Sequence, residues 1–122
     1  MSKTTQMLKG FEIVASDSMP TITLDNQRRF YINTSARRLM GVNPYERLAV
    51  AYNPSEKALA IVKGGSADAY PTSNYSVDKR FYMSARHFAS YCGYPPEQAP
   101  YSFVYERGAS DGNVFIFRLL YK

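Results

Sequence analysis

Eight side chains in this sequence have the type and spacing to hold phosphate groups. They are Arg28, Arg29, Arg37 and Arg38 in the first half, and Lys79, Arg80, Arg86 and His87 in the second. Arginine's planar fork suits bidentate contact with phosphate oxygens or guanine edges. Each set brackets an expected junction between a strand and a short helix, so the two would form related basic clusters. Such clusters would anchor duplex DNA by its phosphates, with some base or shape readout from the junction arginines. The competing reading is a solvated charged face, partly neutralised by Asp25, Asp78 and Glu46. Tyr31 and Tyr82 should flank the arginines, either stacking on a partner or covering the fold beneath.

Other reactive chemistry finds little to work with. His87 is the sole histidine and Cys92 the sole cysteine. On an ideal helix a five-residue spacing sets them about 140° apart, which argues against a nucleophile–base pair. One histidine and one cysteine make no zinc site, and Gly64-Gly65 lacks the glycine spacing and lysine of a phosphate loop. The expectation is a protein with no catalytic residues, no metal and no cofactor, and so not an enzyme.

The elements that would position the basic residues follow from periodicity. Residues 21–24 and 27–32 alternate as half-buried strands do, with Phe30 and Ile32 facing inward and Arg29 and Tyr31 outward. Asn33 or Thr34 can cap the next helix. Ala36, Leu39 and Met40 fall on one apolar helix face, and Gly41 is placed to end it. Residues 47–52 and 57–63 read as a hairpin turning at Asn53-Pro54-Ser55-Glu56. A second series follows: a strand at 74–83, a helix at 85–92, a stop at Pro95-Pro96, a strand at 98–106, a hairpin loop at 108–112 and a last strand at 113–121.

The two series are related. Pro20-Thr21 precedes Arg29-Phe30-Tyr31-Ile32, and Pro71-Thr72 precedes Arg80-Phe81-Tyr82-Met83, at a constant separation of 51 positions. A one-residue insertion then brings Gly41 onto Gly93. This is the pattern of an internal repeat. It divides the chain into a loose tail at 1–10 and one domain at 11–122. Within that domain lie a first repeat at about 11–63, a flexible linker at 64–70 and a second repeat at about 71–122. Phe11-Glu12-Ile13-Val14 is expected to add a short strand before a turn at Ser16-Asp17-Ser18. Short strands in two such units suggest a small closed β-barrel, because closure removes exposed sheet edges.

Composition fits this outline. A chain of 122 residues with 45% apolar content can bury a modest core. Fifteen Lys and Arg against ten Asp and Glu give a net charge of +5, which permits phosphate contact. Eleven tyrosines and no tryptophan supply amphipathic contact area. The single cysteine suits a reducing cytoplasm. No apolar run reaches the roughly 18 residues of a membrane span.

With these residues in view, the first unit resembles the AbrB/SpoVT-like family of DNA-binding proteins, which includes MazE-like antitoxins. Arg29 stands for the family's leading basic residue and Ile32-Asn33 for its Ile-Pro step. Ala36-Arg37 matches the hydrophobic-Arg pair, and Met40-Gly41-Val42 the helix end. Glu46 to Val50 resembles the acidic turn and strand that follow. Asn33 and Ser84 depart from the family's proline. The resemblance implies a swapped-hairpin barrel, normally built from two chains and here formed as a pseudodimer of two β-β-α-β-β units. It also implies duplex DNA as partner and a role in transcription regulation, in a bacterium or mobile element. The alternative is a protein-binding module or inhibitor, for example phage-encoded, that uses a tyrosine-rich barrel surface. Self-association is left open.

Overall fold

Alternating burial in the first hairpin sets the architecture. The computed structural model describes residues 19–120 together with residues 7, 9–11 and 14. β1 (Thr21–Leu24) pairs antiparallel with β2 (Arg29–Ile32), with Ile22 opposite Ile32 and Leu24 opposite Phe30. These four side chains are essentially fully buried, while Arg29 and Tyr31 between them stay half-exposed.

The hairpin leads into α1 (Thr34–Met40), then β3 (Arg47–Asn53) and β4 (Ala58–Val62). The second series is β5 (Tyr75–Ser76), β6 (Tyr82–Ser84), α2 (Arg86–Cys92), β7 (Tyr101–Asp111) and β8 (Val114–Leu119). Eight antiparallel strands run in the order β5-β3-β4-β8-β7-β1-β2-β6 and form a nearly closed barrel. The terminal strands β5 and β6 adjoin through the turn where the Asp78 N–H donates to the Tyr82 carbonyl (2.9 Å). Phe30, Phe103, Phe117, Leu48, Leu59 and Ile61 fill the interior without residual exposure.

Exchanging β1–β4 for β5–β8 reproduces the strand pairings except one, because β1 forms a ladder with β2 whereas β5 and β6 end the strand order without one. β1 pairs with β7, and its counterpart β5 pairs with β3. The pairings β2–β6 and β4–β8 are their own counterparts, centred on Phe30–Met83 and Ala60–Ile116. β1 therefore lies beside β7 and β5 beside β3, so strands from the first and second halves of the chain are interlaced.

Several details differ from the sequence expectations. Tyr75 and Met83 do not share one strand, because a turn at Asp78 separates β5 from β6. β7 continues to Asp111, so the expected loop 108–112 shortens to a turn at Gly112 and Asn113. Leu39 is 37% exposed, leaving Ala36 and Met40 as the buried face of α1. The expected strand at Phe11–Val14 includes Glu12 and Ile13, which lie outside the described residues, as do Ser16-Asp17-Ser18, most of the tail 1–10 and residues 121–122.

The linker is also structured. Residues Gly64–Ala69 form a 3-10 helix whose Ala67 is fully buried beside Ala49 and Val62. Arg47 pins it: its guanidinium donates to the carbonyls of Ala67 (2.9 Å), Tyr70 (2.7 Å) and Ser73 (3.2 Å). A charged donor to three carbonyls is a stronger tether than glycine content would suggest.

Candidate nucleic-acid interface

The strand–helix junction of the first half is built by two polar side chains. Asp25 Oδ1 accepts from the backbone N–H groups of Gln27 and Arg29, both at 2.9 Å, closing a turn that places Arg28 in the left-handed region at φ 58°. Asn33 caps α1 by accepting from the Ala36 N–H (2.9 Å). The same oxygen accepts from the Thr21 N–H (3.0 Å), and Asn33 Nδ2 donates to the Met19 carbonyl (2.9 Å). Proline could supply none of these bonds, which is a physical reason for asparagine here.

On the outer face of the β2–β6 pair, four side chains stack into a stripe. Tyr31 and Tyr82 pack ring to ring with centroids 4.8 Å apart. The Arg29 guanidinium lies 4.3 Å from the Tyr82 centroid, and its Nε and Nη2 both bond Asp25 Oδ2 at 2.9 Å. Arg37 donates from Nε to the Ile32 carbonyl (3.0 Å) and from Nη2 to the Tyr31 hydroxyl (2.8 Å). Its guanidinium also covers the Phe81 ring at 4.1 Å. Cation–π contact of this kind contributes about 0.5–2 kcal/mol per pair. Arg29 and Arg37 are thus held in place, and among the described residues the remaining N–H donors of each fork are unspent. Tyr31 and Tyr82 serve as the plates that orient them.

The other predicted cations are freer. Arg28, Arg38, Lys79, Arg80, Arg86 and His87 are all exposed. An open groove of about 610 Å³ runs beside the stripe, lined among others by Arg28, Arg29, Asp78, Tyr82, Ser84 and Arg86, and so brings together cations from both halves. Arg38 belongs to α1, and Lys79 and Arg80 to the second turn; neither group lines that groove. His87 stacks on Tyr91 at 5.6 Å along α2. Asp78 is the acidic member of the groove. The Tyr82 backbone N–H holds its carboxyl below the usual value, assisted by the Arg80 N–H and by the Arg80 and Arg29 charges. Of the other acidic residues, Glu46 pairs with Lys63 at 3.6 Å.

Burial pushes the Cys92 thiol up, away from the thiolate that a nucleophile needs. Among the described residues no group of three His, Cys, Asp or Glu could hold a metal ion. No described helix is long and apolar enough to cross a membrane.

Sequence reasoning missed the second turn. Asp78 repeats the Asp25 geometry, accepting from the N–H groups of Arg80 (2.8 Å) and Tyr82 (3.0 Å) and placing Phe81 at φ 68°. The matching signal was an aspartate three residues before the left-handed position in each half. No family model, curated protein or solved structure matches the chain.

Proposed function

We propose that this chain is an AbrB-like DNA-binding protein made of two tandem units, acting as a transcriptional regulator in a bacterium or mobile element. The observation that carries the reading is the stripe on the β2–β6 pair. Arg29 and Arg37 are fixed there by Tyr82, Tyr31 and Phe81, and Arg28 and Arg86 border the adjoining groove. Prepositioned guanidinium groups lose little side-chain entropy on meeting phosphate, and free cations beside them add counterion release. The interlaced pairing of the halves also supports a swapped-hairpin pseudodimer. The test is fluorescence anisotropy of labelled random-sequence duplex DNA across roughly 50–200 mM salt. Affinity should fall linearly in log salt, with a slope near −0.9 per phosphate contacted. No binding at the lowest salt would overturn the reading.

A second reading has its own observation. Tyr91, Tyr45 and Tyr70 are 82%, 72% and 55% exposed, and tyrosine is a favoured interface residue. A protein-binding module or inhibitor would use these rather than Tyr31 and Tyr82. In that case Tyr45→Ala and Tyr91→Ala would abolish capture of a protein partner that the wild type retains, while DNA stays unbound.

A further inference from the structure

Hydrogen bonds establish which residues of the two halves correspond. The turns align Asp25 with Asp78, Arg28 with Phe81 and Arg29 with Tyr82, since each pair makes or occupies the same backbone contacts. The helices align Arg37 with Ala89. Each residue donates its N–H to the cap residue's carbonyl, and its own carbonyl accepts from the closing glycine and from the residue after it. Arg38 then corresponds to Ser90. The arginines at the first junction are thus replaced in the second by two aromatics and two small neutral residues. The aromatics are also in use, because Phe81 and Tyr82 are the rings beneath Arg37 and Arg29. The second half's own cations sit elsewhere: Lys79, Arg80, Arg86 and His87 correspond to Asn26, Gln27, Thr34 and Ser35.

We propose that one chain docks on duplex DNA in a single orientation and recognises a site without two-fold symmetry. The first half's turn and α1 read the duplex through Arg28, Arg29, Arg37 and Arg38. The second half supplies the platform that aims Arg29 and Arg37, and its displaced cations hold flanking phosphates. The backbone is pseudo-symmetric, but the charged surface is not. A symmetric operator would present the same pattern to Phe81 and Ala89 as to Arg28 and Arg37, and those side chains have no donors for it. This inference rests on the DNA reading above.

The experiment selects a preferred duplex from a random library and compares it with a scrambled duplex by anisotropy. Binding is measured for the wild type, for Arg28→Asn with Arg38→Ala, and for Lys79→Ala with Arg80→Ala. Asparagine is chosen at position 28 because it tolerates the left-handed backbone. All four side chains are exposed, and unchanged thermal melting would show that the folds are intact. The selected site should be non-palindromic and bound one chain per duplex. The first pair should lose discrimination roughly ten- to a hundredfold. The second should weaken both duplexes alike and lower the salt slope. A palindromic site, equal loss of discrimination by both pairs, or no preference for any duplex would overturn the proposal. Failure of the wild type to bind DNA at all would instead remove the reading on which it stands, before any variant is compared.

Discussion

The turn at Asp25 and the turn at Asp78 make the same backbone bonds and carry different surfaces. In both, an aspartate oxygen collects two N–H groups, the fourth residue turns left-handed, and the strand beyond enters the β2–β6 pair. One turn then displays Arg28 and Arg29, the other Phe81 and Tyr82. The aspartate acceptor and the same two backbone bonds close both turns, which leaves the outward side chains free to diverge. Geometry and chemistry are set here by different residues.

The sharpest way to strain this comparison is at its pivot. Phe30 and Met83 are paired and both fully buried. Phe30→Ala should cost about 3–5 kcal/mol and Met83→Ala about 2–4 kcal/mol in denaturant unfolding. A reversed order would mean that the two halves bear the core unequally in a way their burial does not reveal. Next, Asp25→Ala removes the acceptor for two backbone donors and for Arg29, and should cost about 2 kcal/mol. Asp78→Ala removes the two backbone bonds alone and should cost nearer 1 kcal/mol. Thermal melts of the two variants measure the difference directly.

The helix caps separate the halves further. Asn33 caps α1 through its side chain, whereas Ala85 opens α2 with none. Asn33→Ala should lose about 1–2 kcal/mol and raise amide exchange in residues 34–36, with α2 unaffected. The smallest effect concerns acid. Because the folded-state Asp78 carboxyl titrates below its usual value, its contribution is present above about pH 4 and fades as pH falls through the lowered value. Melts between about pH 2 and 5 should show a shallower acid decline in Asp78→Asn than in the wild type. An identical decline would remove Asp78 as a source of acid sensitivity.

Much of the first half was legible in the sequence. The Phe30/Ile32 alternation, a cap at Asn33 or Thr34 and the stop at Gly41 each follow from a local rule; the structure caps at Asn33, which also bonds Thr21 and Met19. The recurring Arg-Phe-Tyr triplet, 51 positions on, misplaces the second turn, whose bonds match those at Asp25 at a separation of 53. The helix ends at Gly41 and Gly93 lie 52 apart, as the one-residue insertion has them. Phe30 is buried in a strand, whereas Phe81 sits in the turn beneath Arg37. Identity of letters followed composition, while the hydrogen-bonding aspartate followed the chain. Arg47 was not legible either, because its three carbonyl partners lie 20 to 26 residues away in a segment whose glycines suggested flexibility.

Interlacing also governs how the protein comes into being. Thr21 in the first hairpin pairs with Val104, 83 positions downstream, and so β1 must wait for a distant strand to emerge from the ribosome. Until then β1 has a bare edge, and no half-sized intermediate can close the barrel. Contacts this distant in sequence slow folding and defer it until β7 has been synthesised. A chain cut short before Tyr101 would leave β1 without β7 beside it. Such a truncated chain should therefore expose the β1 edge to pairing with other chains.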